Sequence, residues 1–262
     1  MSLLIVENLR IAFGGLVAVD GVSFAVQRGE IFALIGPNGA GKTTLFNIIS
    51  GIYAPQGGRI VLDGEDVSGL PPHQLARRGL SRTFQNLQIF FRMSAVENVM
   101  AGRHLHEGRN VLAHLFALPS VRAQNRATRA CAEKLLALVG LSDVADAPAG
   151  NLPYGALKRL EIARALATEP KILLLDEPAA GCNPTETEEV DAVIKMIAAQ
   201  GIAVILVEHD MRMVMNISDR IHVLDRGHTL AEGTAEAVRA DPTVTAAYLG
   251  GHGKREAGRA HA

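Results

Sequence analysis

From Leu3 to Gly69, short apolar runs such as LLIVENLRIAF, VSFAV and RIVLDG break at Gly14–Gly15 and Gly57–Gly58, a pattern that predicts strands joined by glycine turns. Set among them, IFALI (Ile31 to Ile35) is apolar throughout, as a buried strand requires, and runs directly into a glycine-rich loop. From about Pro71 to Leu166 the spacing changes. PPHQLARRG, SAVENVMAG, ACAEKLLALVG and LKRLEIARALA carry apolar residues at helical spacing, which predicts a helical block. Beyond it strands and helices alternate: ILLLD, then ETEEVDAVIKMIAAQ with Val190, Val193, Ile194 and Ile197 on one face, then IAVILV, then RIHVLD. Such alternation predicts an α/β fold whose parallel sheet is covered by helices. The closing GGHGKREAGRAHA has almost nothing to bury, so residues 251–262 are expected to form a flexible tail. No internal repeat is present.

Composition narrows the class. The 262 residues are 48% apolar and 20% charged, which suits an ordinary globular protein and excludes a disordered or fibrous one. Lys and Arg number 26 against 27 Asp and Glu, so the net charge of -1 supplies no overall basic field, and no nucleic-acid partner is expected. The longest apolar run, Ile202 to Val207, is far short of the roughly 20 residues of a spanning helix. The N-terminus, MSLLIVENLRIAF, lacks a basic start and a long apolar stretch, which predicts a chain that stays in the cytosol. Cys131 and Cys182 make no metal-ligand pattern and are expected as reduced thiols.

The strongest chemical signal is Gly36-Pro-Asn38-Gly39-Ala40-Gly41-Lys42-Thr43-Thr44, which fits G-x-x-x-x-G-K-[ST] between a buried strand and the helical stretch LFNIIS. A loop of this kind wraps backbone N–H groups around a polyphosphate, and the following helix start adds partial positive charge. Gly39 and Gly41 permit backbone conformations that a side chain would block, Lys42 brings a cation to the outer phosphates, and the Thr43 hydroxyl suits Mg²⁺. A second element, Ile172-Leu-Leu-Leu-Asp176-Glu177-Pro178, is a buried strand ending in two carboxylates. Asp176 suits a Mg²⁺ shell and Glu177 a general base that takes a proton from water attacking the terminal phosphorus. Alone such a pair more often marks a helix start; the phosphate loop upstream favours the catalytic reading.

Phosphate binding by itself does not name a function. Three further elements narrow it: Gln85 within RTFQN, Tyr154-Gly155 opening YGALKRLEIARAL, and His209 after IAVILVE. Taken singly, Gln85 would be a solvated loop amide, His209 a strand-end histidine and Phe13 a core or turn aromatic. In this order, with Gly36 to Thr44 first and Asp176-Glu177 between the last two, the set resembles the ATP-binding subunit of an ABC transporter from Leu3 to about Gly250. LVAVDGVSF, TFQN, the insertion of about 30 residues after Asn98-Val-Met, NLPYG with RLEIARAL, LDEPAAG with NP next, VEHDM and AYLGG look like the LivG-type ATPase of branched-chain amino-acid importers.

The resemblance implies a P-loop ABC ATPase with a RecA-like parallel-sheet core, an N-terminal antiparallel β subdomain and a helical subdomain at about 86–166, all within one domain spanning 1–250. It implies ATP and Mg²⁺ as cofactors. Phe13 would stack on adenine; Gly36, Asn38, Gly39, Ala40, Gly41, Lys42, Thr43 and Thr44 would hold phosphates; Thr43, Gln85 and Asp176 would serve Mg²⁺. Lys42, Gln85, Glu177 and His209 would act in hydrolysis, with Gln85 also sensing the membrane subunits. Tyr154 and Gly155 would meet the nucleotide of a second ATP-binding subunit, homo- or heterodimeric, in a face-to-face sandwich. Membrane permease subunits would be partners, a periplasmic or extracellular substrate-binding protein an indirect one, and the chain would lie peripherally on the cytoplasmic face of the inner membrane.

Departures from the family pattern matter. Its Leu-Ser-Gly-Gly-Gln signature is Leu152-Pro153-Tyr154-Gly155-Ala156 here, and Pro153 has neither hydroxyl nor N–H, so the Gly155 N–H and the helix start are the donors expected to remain. Ala156 and Leu157 stand where these importer ATPases usually have two Gln, and Asn183 replaces the usual Asp. The insertion from Gly102 to Ala130 holds Arg103, Arg109, Arg122, Arg126 and Arg129 against Glu107, with His104, His106 and His114; a solvated basic surface is expected rather than a metal site. A urea or short-amide importer would use a very similar ATPase, so the cargo stays open. A soluble ABC-type ATPase acting on DNA or ribosomes would usually carry a long coiled coil or a second ATPase domain, and a small-molecule kinase would leave Gln85, Tyr154-Gly155 and His209 unexplained.

Overall fold

The computed structural model describes residues 2–105 and 119–247. Its strands are β1 (Ser2–Phe13), β2 (Leu16–Gln27), β3 (Ile31–Ile35), β4 (Gly57–Leu62), β5 (Glu65–Asp66), β6 (Leu80–Arg82), β7 (Ile172–Asp176), β8 (Ala203–Val207), β9 (Arg220–Asp225) and β10 (His228–Gly233). Its helices are α1 (Lys42–Ile49), α2 (Pro72–Arg77), α3 (Ala95–Gly102), α4 (Pro119–Leu138), α5 (Tyr154–Leu166), α6 (Pro184–Ala199), α7 (Met211–Ile217) and α8 (Ala235–Ala240). The chain divides into two compact units, one built from the residues up to Leu75 and from Ile197 onward, the other from Ala76–Met196.

In the first unit an antiparallel sheet runs β2-β1-β4-β5. Gly14 and Gly15 both take positive φ, 51° and 87°, so the hairpin of β1 and β2 closes in two residues with Phe13 opposite Leu16. Burial along β1 alternates as Leu4 and Val6, then resumes at Leu9 and Ile11. The change of phase falls at Asn8, whose φ of 48° accompanies a register shift between Val6 and Leu9, a bulge that keeps both halves of the strand facing the core. β3 pairs in parallel with both β8 and β9, and β10 runs antiparallel to β9. All five residues of β3 and of β8 are buried, the burial expected of parallel strands covered on both faces.

The second unit pairs β6 with β7 in parallel and packs α3, α4 and α5 together. A capping box starts α3: the Ser94 hydroxyl accepts from the Glu97 N–H, and the Glu97 carboxylate accepts from the Ser94 N–H at 2.8 Å. At its other end Gly102 lies so near the Arg164 carbonyl of α5 that a Cβ would overlap it. Buried Asn98 accepts from the Phe90 N–H at 2.9 Å and donates to the Phe90 and Ser94 carbonyls, which fixes the segment following Gln85.

β6 interrupts the stretch read as purely helical, because three residues are too few to display a period of two. β10 has no fully buried residue, so its pattern gave no strand signal. The basic insertion is partly neutralised by ion pairs. Arg122 and Arg126 are exposed, whereas Arg103 pairs with Glu169 at 2.8 Å and Arg129 with Glu133 and Asp146 at 2.9 and 2.7 Å. His106, Arg109, His114 and the tail 251–262 lie outside the described residues.

The first unit also holds a polar network that runs from buried His222 and Glu30 to the surface at Arg220 and Glu232. His222 of β9 is fully buried beside the rings of Phe24 and Phe32. Its Nδ1 lies 2.7 Å from Glu232 Oε2 and its Nε2 3.1 Å from the Thr229 hydroxyl. Arg220 bonds Glu30 at 2.8 Å, the Ala25 carbonyl at 2.9 Å, and Glu232. The hydrogen bond with His222, opposed by burial and helped by Arg220, holds the Glu232 carboxyl below the ordinary range. A depressed acid stabilises the fold above its unfolded value of about 4.3 and loses that contribution as pH falls through its folded value. Because Glu232 is partly exposed and its contacts are screened by solvent, Glu232→Gln is expected to cost about 0.5–1 kcal/mol at pH 7 and to flatten the acid limb below about pH 4. Urea denaturation from pH 3 to pH 7 checks both effects.

Candidate active site

The phosphate loop joins β3 to α1 in the first unit. Gly36, Gly39 and Gly41 take φ of 153°, 82° and 103°. A Cβ on Gly36 would overlap the Leu224 carbonyl oxygen, and one on Gly41 would lie 2.5 Å from that of Ala18. The Gly227 N–H donates to the Ala40 carbonyl at 2.9 Å and the Asp20 N–H to the Gly227 carbonyl at 2.8 Å, which braces the loop from two neighbouring segments. Lys42 is buried, its Nζ donating to the Gly36 and Pro37 carbonyls at 2.7 and 3.1 Å, so the ammonium lies inside the curve of the loop. Asn38, Gly39 and Thr43 are exposed, Thr44 is half-buried and Ala40 is buried. Gly41 caps α1 without a side chain, so the N–H groups of the first turn point out of the helix end.

Two more predicted residues belong to this unit. Phe13 ends β1, 44% exposed, with its ring centroid 5.2 Å from that of Tyr53. His209 is exposed after β8 on a firmly held turn. Buried Glu208 accepts from the His209 and Asp210 N–H groups at 2.9 and 3.3 Å, and the Asp210 carboxylate caps α7.

Asp176, Glu177 and Gln85 come together in the second unit. Asp176 closes β7, buried, and its Oδ2 accepts from Arg82 Nη2 at 2.9 Å. Glu177 follows with φ of 50°, an uncommon left-handed conformation for a residue with a side chain. Its carbonyl accepts from Lys158 Nζ at 3.2 Å, and its Oε2 from Gln85 Nε2 at 3.1 Å. Arg82 and Lys158 were missed by sequence reasoning. Each sits within a quoted segment, RTFQN or YGALKRLEIARAL, but an Arg on a short strand and a Lys on a helix normally read as surface charges.

The segment before α5 corrects one expectation. Pro153 stands at the N-cap without a side-chain bond, as its lack of a hydroxyl requires. The Gly155 N–H, however, is occupied: it donates to Glu186 Oε1 at 3.1 Å. Glu186 Oε2 accepts from the Asn183 N–H at 2.9 Å, and Asn183 Oδ1 accepts from the Glu186 N–H at 3.0 Å. One carboxylate thus serves both the start of α5 and the start of α6. Tyr154 is half-exposed against Gly181, and burial raises its phenol above the ordinary value.

Residues 19–180, from β2 past Glu177, match the family described as ABC transporter. The chain belongs to the ABC transporter family. Residues 228–254 of this ABC protein also match a family described as Branched-chain amino acid ATP-binding cassette transporter. It is 49% identical to the High-affinity branched-chain amino acid transport ATP-binding protein BraF of Pseudomonas aeruginosa, over 94% of this chain and 96% of that one. With the LivG protein of the same description from Escherichia coli it shares 45%, over 95% and 98%. The solved ADP conformation of MJ1267, an ATP-binding cassette of an ABC transporter, superposes with a TM-score of 0.83 at 34% identity, covering 95% of this chain and 99% of that one. The α/β P-loop fold of an ABC ATPase expected from the sequence is therefore the fold observed.

In this ABC ATPase, a Cβ at Gly155 would lie 2.6–2.8 Å from the Glu186 side chain, too near its root for an easy rotation away. Glu186→Ala is expected to cost about 1 kcal/mol, because the Gly155 and Asn183 N–H groups lose their acceptor. Gly155→Ala should cost more than that in the natural protein and markedly less when Glu186 is Ala. A double-mutant cycle of urea midpoints measures the coupling.

Proposed function

We propose that this ATPase is the energy-coupling subunit of an importer for branched-chain amino acids. The observation that carries the cargo is the match of residues 228–254, which lie beyond the phosphate loop and the acidic pair common to ABC ATPases and so bear on the subfamily rather than on the shared chemistry. The names of the 45–49% identical relatives agree with it. A urea or short-amide importer is the alternative cargo.

The chain's residues suit hydrolysis as follows. The loop 36–41 and the start of α1 present N–H groups to the phosphates, and Lys42 offers its ammonium to the outer ones. Phe13 stacks on adenine and His209 contacts the γ-phosphate. The Thr43 hydroxyl, the Asp176 carboxylate and the Gln85 amide oxygen are the hard donors that would hold Mg²⁺, which when bound offsets charge on the phosphate oxygens. Glu177 takes the proton of the attacking water on its carboxylate. Gln85 orients that carboxylate through Oε2, while Lys158 secures the backbone carbonyl of the same residue. Tyr154 and Gly155 face the nucleotide of a second ATP-binding subunit, with Glu186 yielding the Gly155 N–H as the pair closes.

Partners follow from the same reading. Among the described residues no helix is long and apolar enough to cross a membrane. On this reading, permease subunits supply the transport path, a substrate-binding protein lies outside, and this chain sits peripherally on the cytoplasmic face. A cavity of about 320 Å³ in the second unit, lined by Phe90, Ala101, Gly102, Glu161, Arg164 and Thr168, is a suitable seat for a permease segment. Phe84 and Phe91 add exposed apolar surface to the same unit. Burial drives the Glu161 carboxyl upward despite the Gln88 N–H and Lys158 nearby, so a cationic or hydrogen-bonding side chain placed there would find a ready partner.

Glu177→Gln keeps shape and removes the proton acceptor. It is expected to slow single-turnover hydrolysis about 10²–10⁴-fold while ATP affinity stays within about twofold. Hydrolysis at wild-type speed would reject Glu177 as the base. For the cargo, the subunit reconstituted with its co-encoded permease and binding protein should hydrolyse ATP faster with leucine than with urea or acetamide; stimulation by urea or acetamide instead would select the alternative.

A further inference from the structure

Phe13 does not stand alone. Its ring meets that of Tyr53 edge to face, centroids 5.2 Å apart at 65°, and both remain exposed, at 44% and 38%. An aromatic pair this open contributes little to a core, so its geometry calls for another explanation.

The backbone holds both rings firmly. Tyr53 follows α1, the helix that begins at the phosphate loop. The Ile52 and Tyr53 N–H groups donate to the Asn47 carbonyl at 2.9 and 3.2 Å, and Gly51 turns the chain with φ of 75° where a Cβ would overlap the Leu70 carbonyl. On the other side, Gln56 clasps the end of β1. Its side-chain amide accepts from the Ala12 N–H at 3.0 Å and donates to the Ala12 carbonyl at 3.1 Å, while its backbone N–H donates to the Arg10 carbonyl at 2.8 Å. The residues beside Phe13 and Tyr53 are thereby tied to each other and to the helix behind the phosphates.

We propose that Tyr53 is a positioning residue for nucleotide binding, which acts by holding the Phe13 ring in the orientation that accepts the base. This rests on Phe13 being the adenine platform. A lone phenylalanine beside a two-glycine turn would turn among rotamers and lose that freedom when the base stacks. An edge-on neighbour removes the freedom beforehand, and preorganisation of this kind strengthens binding without touching chemistry.

The test uses the whole chain with Mg²⁺, and ATP and inorganic triphosphate as probes. Tyr53→Ala should raise the Kd and KM for ATP about 3–10-fold, leave kcat unchanged, and leave the affinity for triphosphate, which has no base, unaltered. Tyr53→Phe should restore wild-type ATP affinity, because the ring and not the hydroxyl makes the contact; Tyr53→Leu should not. The double variant Phe13→Ala/Tyr53→Ala should bind ATP no more weakly than Phe13→Ala alone. Weaker triphosphate binding by Tyr53→Ala, failure of Tyr53→Phe to rescue, or a multiplicative loss in the double variant would each overturn the proposal. If Phe13→Ala weakens ATP binding and Tyr53→Ala does not, the platform stands and Tyr53 has no part in it. If Phe13→Ala leaves ATP binding intact, the platform reading itself fails.

Discussion

Gly36 and Gly41 have no Cβ, and the space those atoms would take is filled by the carbonyl oxygens of Leu224 and Ala18. β3 can therefore deliver the chain into the loop only while the backbone near the end of β9 and that of β2 lie directly against it. The Gly227 N–H on the Ala40 carbonyl and the Asp20 N–H on Gly227 complete the same junction. Much else in this unit follows from that close approach. It fixes where α1 starts, folds Lys42 back over the loop carbonyls, and anchors the sheet of β1 and β2 near the loop. The buried strands supply the rigidity; the glycines supply the permission to come so near.

The carboxylate end of β7 is held by a different kind of force. Asp176 and Arg82 are both largely buried, so their attraction is little screened, and removal of either would leave a charge in a poor solvent. Glu177 has a left-handed backbone, and Lys158, itself buried, donates to its carbonyl. Polar groups thus set the geometry here where backbone contact sets it in the loop.

Sequence made the fold legible wherever one residue type carries one physical requirement. The five-residue runs of β3 and β8 suit buried strands, and the loop glycines serve positive φ at Gly39 and close backbone approach at Gly36 and Gly41. Gln85, Asp176 and Glu177 were singled out as members of an ordered set, and the fold brings Gln85 within a hydrogen bond of Glu177. β6 and β10 were not legible, because a three-residue strand and a half-exposed one leave no periodic trace. Arg82, Lys158 and Glu186 stayed hidden for another reason. A charged side chain looks the same in a sequence whether it faces water or closes a buried contact, and only the fold decides which.

Glu186 does at the start of α5 what a hydroxyl at 153 could have done. With Pro153 unable to cap α5, a carboxylate from the next helix covers the Gly155 N–H and also the Asn183 N–H. Positions 153, 155, 183 and 186 are thus linked through one carboxylate. A side chain at 155 is admissible only with a shorter residue at 186, and a serine at 153 could cap α5 in place of Glu186. Exchange at these positions therefore works in one order, with the carboxylate at 186 shortened before a side chain is placed at 155.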